Sequence, residues 1–194
     1  MINEECCIRS IASGSEEALK QLYLIYSDRM YNTIISYTNN AEDAEEVLQD
    51  VFITVFHTAS RFKFDSSVST WIYRIAVNKS LDLLRKRNSQ KRKGLFTSLY
   101  KKDTGEIQFE ISDFDHPGVE MENKEDAWLI FRAIDTLNEN QKTAFILTHI
   151  EGLPQKEVGE IMNLTRQSVN SLVQRAKVKL KIELEKFYPH RGNK

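Results

Sequence analysis

Cysteine is scarce in this chain, and its two cysteines, Cys6 and Cys7, are adjacent in the sequence. Adjacent cysteines have neither the spacing of a zinc site nor the number that a disulfide framework needs. The chain also lacks an apolar run long enough to span a bilayer, and its first residues lack the basic and apolar regions of a secretory signal. We therefore expect a soluble, cytoplasmic protein that holds no metal ion.

Residues that commonly carry enzyme chemistry are few and dispersed. The four histidines are His57, His116, His149 and His190, and none is placed to form a metal-ligand or nucleophile pair. None of the seven glycines precedes Lys-Ser or Lys-Thr at the spacing of a phosphate-binding loop. The sequence therefore predicts a protein that is not an enzyme and that uses no cofactor and no small-molecule substrate.

Charge is segregated along the chain, although the net charge is only −1. Six basic residues and no acidic residue lie between Arg85 and Lys93, whereas nine acidic residues lie between Asp103 and Asp126. A basic segment attracts phosphate groups and an acidic segment repels them. Nucleic-acid binding is therefore expected of the first segment and not of the second.

Helical periodicity dominates the rest of the chain. Apolar stripes follow the capping residues Ser15 and Asn40, and a third stripe begins at Val68. Nothing between these stripes alternates as a strand does. We predict an all-α fold of two small helical domains.

The predicted domains are separated by a polar, acidic stretch. The amino-terminal domain covers residues 1–93 and the carboxy-terminal domain covers residues 119–194. Between them, residues 94–118 contain glycine and proline but no helical stripe, which is typical of a flexible linker.

A helix-turn-helix pattern occupies the carboxy-terminal part. A short helix can begin at Pro154, Asn163 and Leu164 make the turn, and Thr165 can cap a longer helix. The outer face of that longer helix suits base edges and phosphates in a major groove. Its candidate contacts, named the recognition face below, are Thr165, Arg166, Gln167, Asn170, Ser171, Gln174, Arg175 and Lys177. The alternative is an amphipathic hairpin whose outer face is only solvated.

Three segments together resemble the bacterial sigma-70 superfamily, specifically the small extracytoplasmic-function sigma factors that contain only the second and fourth conserved regions. They are the acidic helix at 43–52 (DAEEVLQDVF), the run at 69–78 (STWIYRIAVN) and the stretch at 151–177. The resemblance implies an RNA polymerase sigma factor that directs core polymerase to promoters and helps to melt the minus-ten region. It also implies two partners, core RNA polymerase and promoter DNA.

The acidic helix is the polymerase-docking element by this resemblance. The side chains implied to face the clamp of the largest polymerase subunit, named the core-binding set below, are Asp43, Glu46, Gln49 and Asp50. Complementary charge would speed the encounter and set its orientation. The alternative is an acidic face that contacts only water.

The third helix and the loop before it resemble the element that binds the minus-ten promoter region. The implied contacts, named the minus-ten set below, are Phe64, Asp65, Ser66, Arg74, Asn78, Arg85, Lys86 and Arg87. For Trp71, whose spacing follows the apolar stripe, we favour a packing role over base stacking.

The recognition face is the implied contact to the minus-thirty-five element. Asn170 and Leu172 stand where many family members carry basic residues, so the preferred bases do not follow from the resemblance. The acidic linker either mimics nucleic acid in the polymerase channels or is a simple tether. Many relatives are held inactive by an anti-sigma factor, often membrane-bound, and we expect such a partner here.

The competing hypothesis is a conventional helix-turn-helix regulator that binds duplex DNA without polymerase, as a dimer on paired half-sites. The acidic helix and the run at 69–78 argue against it.

Overall fold

The computed structural model describes residues 3–98 and 124–187, and every regular element in these two parts is helical. The amino-terminal part contains α1 (Glu4–Ala12), α2 (Glu16–Thr38), α3 (Ala41–Thr58) and α4 (Val68–Ser98). A short 3₁₀ turn, Ala59–Arg61, follows α3 directly. The all-α prediction is confirmed.

Side-chain caps fix where the first three helices begin. Asn3, Ser15 and Asn40 each accept a backbone N–H from three residues further on, at 3.2, 3.2 and 2.9 Å. Such caps satisfy one of the unpaired N–H groups of a first turn and contribute about 1 kcal/mol each. The predicted openings at Ser15 and Asn40 are therefore present.

The four amino-terminal helices enclose an apolar core. Its fully buried members from α2, α3 and α4 are Leu22, Met30, Ile34, Ala44, Val51, Val55, Ile72, Tyr73 and Ala76. Burial of one large apolar side chain contributes about 1.5–3 kcal/mol, so these residues dominate the stability of the bundle. Ile8 and Ile11 bring α1 onto the same core.

Apolar periodicity predicts a third helix from about Val68 to Arg87, and α4 is longer than that. It continues past Arg87 to Ser98, so residues 94–98 are helical where a linker was expected. Residues 99–118 of that linker lie outside the described residues.

The carboxy-terminal part contains α5 (Lys124–Asp135), α6 (Glu139–Phe145), α7 (Gln155–Met162) and α8 (Arg166–Glu185). A π-helical turn, Ile146–Ile150, continues α6. The helices pack around a second set of buried side chains, which are Phe131, Ile134, Ile146, Leu147, Val158, Val169, Val173 and Ala176.

The two parts pack against each other rather than standing apart. Helix α4 contacts α7, and the π-helical turn contacts α2. Lys142 of α6 is only 4 % exposed, and its Nζ donates to the carbonyl of Tyr37 at 3.2 Å and to Asp135 at 2.6 Å. A buried ammonium group needs such partners because removing it from water is costly. Lys142 therefore fixes how α6 lies against the end of α2.

Within residues 3–98 and 124–187, no helix is both long and apolar enough to cross a membrane. The same residues contain no cluster of three or more side chains suited to bind a metal ion.

Candidate nucleic-acid interface

The core-binding set on α3 divides into two pairs. Glu46 and Gln49 are exposed on the outer side of the helix. Asp43 instead accepts a hydrogen bond from Arg87 and is mostly covered, while Asp50 lies 3.5 Å from Lys79 Nζ. Two of the four side chains thus join α3 to α4, and the other two face outward.

A shallow groove adjoins this outward face and was not singled out from the sequence. Tyr23 and Tyr31 of α2 line it together with Leu48 and Gln49 of α3. The Tyr23 ring is 41 % exposed and its centroid lies 4.8 Å from that of Phe52. Tyr23 is part of the apolar stripe that the sequence predicts after Ser15. The packing of α2 on α3 leaves part of the Tyr23 side chain outside the core.

The loop before α4 is held by aromatic contacts. Phe64 adopts a left-handed backbone conformation (φ 57°), and its ring centroid lies 4.7 Å from that of Phe62. Above the Phe64 ring lies the Arg9 guanidinium of α1, 4.4 Å from its centroid. A cation over an aromatic face is worth about 0.5–1 kcal/mol at an exposed site. Helix α1 therefore positions this loop.

Trp71 is part of the same aromatic group. Its ring stacks on Phe62 with centroids 4.6 Å apart and planes inclined by 20°. Trp71 is partly buried against the core, which agrees with the packing role favoured from the sequence. In the loop before α4, Asp65 is exposed, whereas the hydroxyl of Ser66 is buried.

On α4 the minus-ten set is only partly open. Asn78, Arg85 and Lys86 are exposed. The Arg74 guanidinium donates from Nε and Nη2 to the backbone carbonyl of Glu160, at 3.2 and 2.6 Å. Arg87 is directed to Asp43.

Arg85 makes the most elaborate contact of the set. Its Nε and Nη2 donate to the two carboxylate oxygens of Glu139, at 3.0 and 2.7 Å. Its Nη1 donates to Asp82 at 3.1 Å. The hydrogen bond from Arg85 holds the pKa of the Glu139 carboxyl below its usual range, and Glu139 raises the pKa of Arg85 in turn. Both groups remain charged at neutral pH.

The helix-turn-helix is built as the sequence predicted. Asn163 ends α7 in a left-handed conformation (φ 55°), and the Leu164 N–H donates to the carbonyl of Gly159 at 2.8 Å. Thr165 caps α8 by accepting the Ser168 N–H at 3.1 Å. The buried side of α8 carries Val169, Val173, Ala176 and Leu180.

Gly159 is a structural requirement that sequence reasoning missed. A Cβ atom at this position would lie 2.7 Å from the backbone carbonyl oxygen of Leu164. Such a contact is shorter than side chains tolerate, and the atom it meets is backbone, so only glycine lets the turn fold this closely over α7. A glycine inside a helical pattern four residues before a predicted turn was the available signal.

The whole recognition face is exposed on α8. All eight of its residues, from Thr165 to Lys177, are exposed to solvent. Their local contacts stay within the motif, because Arg175 Nε donates to the Ser171 carbonyl at 3.2 Å and Gln155 lies 3.4 Å from Asn170. The face can therefore enter a groove without rearrangement of α8.

Acidic residues of the carboxy-terminal part that contact α4 were also missed. Besides Glu139, the carboxylate of Glu157 lies 3.4 Å from the Ser69 hydroxyl, and Glu151 accepts from the Tyr73 hydroxyl at 3.3 Å. Burial raises the pKa of Glu151. A single sequence carries no signal for such pairs, because their partners are 54 to 88 residues apart.

Family models match both parts of the chain. The model of sigma-70 region 2 matches residues 22–90, and that of sigma-70 region 4 matches residues 128–180. Together they span more than half of the chain. Helix α7, the whole recognition face, and all residues of the minus-ten and core-binding sets fall inside these matches.

Curated relatives are similar over nearly their whole length. The chain is 27% identical to the ECF RNA polymerase sigma-E factor of Haemophilus influenzae over 178 residues, which cover 91% of this chain and 92% of the relative. It is 26% identical to the ECF RNA polymerase sigma factor SigW of Bacillus subtilis over 177 residues, with coverage of 91% and 94%.

Solved structures share the fold. CnrH, in complex with the cytosolic domain of CnrY, gives a TM-score of 0.67 at 21% identity, with 94% of this chain and 97% of that chain covered. The sigma factor RpoE of Bartonella quintana, in complex with the anti-sigma factor NepR, gives 0.61 at 19% identity, with coverage of 86% and 96%.

The region 2 match disfavours a conventional helix-turn-helix regulator, because it includes the acidic helix and the run at 69–78 that such a regulator does not explain. Regions 2 and 4 occur in the expected order, and the relatives align across both. The chain therefore belongs to the extracytoplasmic-function group of the sigma-70 family and is an RNA polymerase sigma factor.

Proposed function

We propose that this chain binds core RNA polymerase, brings it to promoters with a particular pair of minus-thirty-five and minus-ten elements, and helps to open the minus-ten region. The observation that carries the proposal is the exposed recognition face of α8 on the same chain as the region 2 helices. The role is non-catalytic and belongs to the cytoplasm, where polymerase and chromosomal DNA are found.

Recognition of the minus-thirty-five element uses α8 in the major groove. Amide side chains such as Gln167, Asn170 and Gln174 both donate and accept, so they can pair with base edges. Arg175 and Lys177 lie further along the helix and suit phosphates, which fix register without reading sequence. All of these side chains are exposed.

Opening of the minus-ten region uses α4 and the loop that precedes it. Asn78 and the loop residues Phe64, Asp65 and Ser66 hold an unstacked base of the non-template strand, while Arg74 and Arg85 contact its backbone. One duplex step is worth about 1.4 kcal/mol, and capture of one base returns roughly 1–3 kcal/mol. A few captured bases cannot support a bubble of many pairs, so opening requires core polymerase.

Docking on core polymerase uses the outward pair of α3. Glu46 and Gln49 are exposed, and the groove lined by Tyr23 and Tyr31 lies beside them. Asp43 is mostly covered by its contact with Arg87, whereas Asp50 is 55 % exposed beside Lys79 and remains part of the acidic docking face. The acidic face attracts a basic partner surface, and the aromatic groove adds apolar area.

An anti-sigma factor is the second protein partner that we propose. CnrH is solved in complex with the cytosolic domain of CnrY, and the Bartonella quintana RpoE is solved in complex with the anti-sigma factor NepR. A partner that occupies the α3 face or the recognition face of this chain would block promoter-directed transcription.

Promoter-directed transcription with purified core polymerase tests the proposal. We expect new start sites across a pool of genomic fragments when the chain is added, and their loss with the double variant Glu46→Ala, Gln49→Ala. Glu185→Ala is the matched control, since Glu185 is an exposed acid on α8 paired only along its own helix with Lys181. Asp43 is a poorer choice because it is mostly covered and its replacement would remove the contact of α3 with Arg87.

Duplex binding without polymerase, combined with no new start sites on addition of core, would overturn the proposed function.

A further inference from the structure

We propose that Arg9 of α1 is a further contact to minus-ten DNA, and that its guanidinium binds a phosphate of the non-template strand beside the base held by the loop of residues 62–67. This loop, named the Phe64 loop below, lies directly before α4. The inference rests on the proposed function, because it adds a residue to the surface that opens the minus-ten region. It is carried by the position of Arg9 over the Phe64 ring.

The Phe64 loop is held in a conformation that a bulky residue rarely adopts. Phe64 has a φ of 57°, in the left-handed region where a side chain with a Cβ atom is strained. Such strain persists only where neighbouring groups fix the residue, and it is concentrated at functional sites. Here the Phe62 ring contacts Phe64 and stacks on Trp71 of α4, while the Arg9 guanidinium lies over the Phe64 ring. The Phe64 ring is therefore fixed between α1 and the start of α4.

Helix α1 presents Arg9 from a fixed backbone. Ile8 and Ile11 are buried in the core, whereas Arg9 is exposed on the outer side of the helix. Asn3 caps the first turn of α1, and the helix contacts the 3₁₀ turn that precedes the Phe64 loop. The model of region 2 begins at residue 22, so α1 lies before the segment that this match describes. The family match therefore assigns no role to Arg9.

The contact with Phe64 leaves the hydrogen-bonding groups of the Arg9 side chain available. A cation–π contact uses the charge of a guanidinium and none of its five N–H donors. Arg85 differs in this respect, because its donors are directed to both carboxylate oxygens of Glu139. A guanidinium held over a ring offers its N–H groups as a planar fork, which matches two oxygens of one phosphate. Arg9 can thus bind a phosphate while it stays on the Phe64 ring.

A phosphate fits this position better than a base does. The guanidinium of Arg9 covers one face of the Phe64 ring, so a base cannot stack on that face at the same time. A base captured by the loop brings the phosphates on its two sides close to the loop. Contacts to phosphate hold a strand without reading its sequence. Arg9 should therefore strengthen binding of the unstacked strand at every promoter that the chain uses.

Binding of a single-stranded minus-ten oligonucleotide to the holoenzyme tests the inference. The probe is the fluorescein-labelled non-template strand of a promoter that the wild-type chain selects, with core polymerase, from the genomic pool. We compare the wild type with Arg9→Met, which keeps a long side chain that packs on Phe64 but removes the charge, and with Arg9→Lys, which keeps the charge. Fluorescence anisotropy gives the affinity of each holoenzyme over a series of salt concentrations.

The salt dependence is the decisive result. We expect Arg9→Met to bind the probe about two- to fivefold more weakly, as for loss of an exposed charge contact, and Arg9→Lys to recover most of this loss. Each phosphate contact to a single strand releases counterions, so the slope of log affinity against log salt should become shallower by about 0.7 for Arg9→Met. The slope should stay unchanged for Arg9→Lys.

Arg132→Met is the matched control. The Arg132 guanidinium lies 4.9 Å from the ring centroid of Trp128, so Arg132 is also an exposed arginine over an aromatic ring, but it belongs to α5 in the other part of the chain. Its replacement removes the same charge and should change neither the affinity nor the slope. Equal thermal unfolding of the Arg9 variants and the wild type shows that α1 remains folded.

A double variant tests whether Phe64 positions Arg9. Phe64→Leu keeps an apolar side chain but removes the ring face on which the guanidinium lies. The loss of affinity caused by Arg9→Met should therefore be smaller in the Phe64→Leu background than in the wild type.

A salt slope that Arg9→Met leaves unchanged would overturn the inference, because Arg9 would then make no phosphate contact even if the affinity fell through a displaced loop. Failure of the proposed function has a different signature. In that case the wild type gives no core-dependent start sites, no promoter is selected, and the role of Arg9 is refuted together with the function on which it rests.

Discussion

The two proposed DNA-binding surfaces of this sigma factor share a chemistry but differ in their contacts. Both consist of cationic and amide side chains on one face of a helix, α4 in one case and α8 in the other. On α8 all of these side chains are exposed. On α4 Asn78, Arg85 and Lys86 are exposed as well, but Arg74 and Arg85 donate hydrogen bonds to the carboxy-terminal part.

The difference shows that the composition of a helix face does not decide whether the face is available. The α8 face is open because the apolar side of α8 lies on α5, α6 and α7, which turns the polar side outward. The α4 face meets acidic residues because α7 packs against α4 and the start of α6 reaches Arg85. Availability is therefore a property of domain packing.

Gly159→Ala should produce the largest difference between the DNA affinities of the two surfaces. The added Cβ would meet the Leu164 carbonyl at 2.7 Å, so the turn must move or the domain must lose about 1–3 kcal/mol of stability. We expect binding to duplex minus-thirty-five DNA to fall sharply while binding to single-stranded DNA persists.

Fluorescence anisotropy with both probes and thermal unfolding check this prediction. Glu160→Ala is the matched control, because it alters the next residue of α7 and leaves the carbonyl that Arg74 contacts in place. A duplex affinity equal to that of the wild type would show that α8 does not depend on this turn.

Within the recognition face, Gln174 and Arg175 should behave differently. We expect Gln174→Ala to change base preference by about 1–3 kcal/mol at one position of the minus-thirty-five element. Arg175→Ala should weaken binding to every sequence and reduce its salt dependence, since a phosphate contact reads no base. Affinities for a set of single-base promoter variants measure both effects. Equal losses of affinity by the two mutants on every variant would refute the assignment of Gln174 to a base and Arg175 to a phosphate.

The pH dependence of the packing between the two parts is the smallest effect that we predict. Glu151 lies between the two parts, where Arg29, Thr33 and Tyr73 face it, and the charge of Glu151 also reaches Tyr37. Burial raises its pKa above the ordinary value, so the packed arrangement favours the neutral carboxyl. The ionised form thus opposes the packing at neutral pH, and this opposition is lost as pH falls through the raised pKa.

Glu151→Gln should therefore stabilise the packing of the two parts slightly at neutral pH and raise the melting temperature there. The difference from the wild type should shrink as pH falls and Glu151 becomes protonated. Thermal unfolding measured from neutral to acidic pH tests this, and a difference that does not vary with pH would contradict it.

The local features of the molecule were predictable from the sequence. Ser15, Asn40 and Thr165 cap the helices that they were expected to cap, and the turn at Asn163 has the left-handed backbone that asparagine tolerates. These features depend on residues within four positions of one another, so a single sequence contains them. The end of α4 was misplaced because the apolar stripe fades after Arg87 although the helix continues.

Contacts between distant residues were not predictable in the same way. Asp43 had the pattern of an outward acidic side chain, yet it contacts Arg87. Similarly, Arg85 had the pattern of a phosphate ligand, yet it binds Glu139, 54 residues away. A charge pattern indicates which kinds of group a side chain can bind. Only the packing of the helices brings one such group within reach.

The helices that follow Ser15, Asn40 and Thr165, the helix-turn-helix and the family could be inferred from the sequence, because they depend on periodicity and short-range chemistry. Only the packing of the helices shows that Gly159 must lack a side chain, that Lys142 is buried against Tyr37, and that Arg85 and Arg87 meet acidic residues. Burial and ion pairing depend on distances in space, which a linear order of residues does not fix.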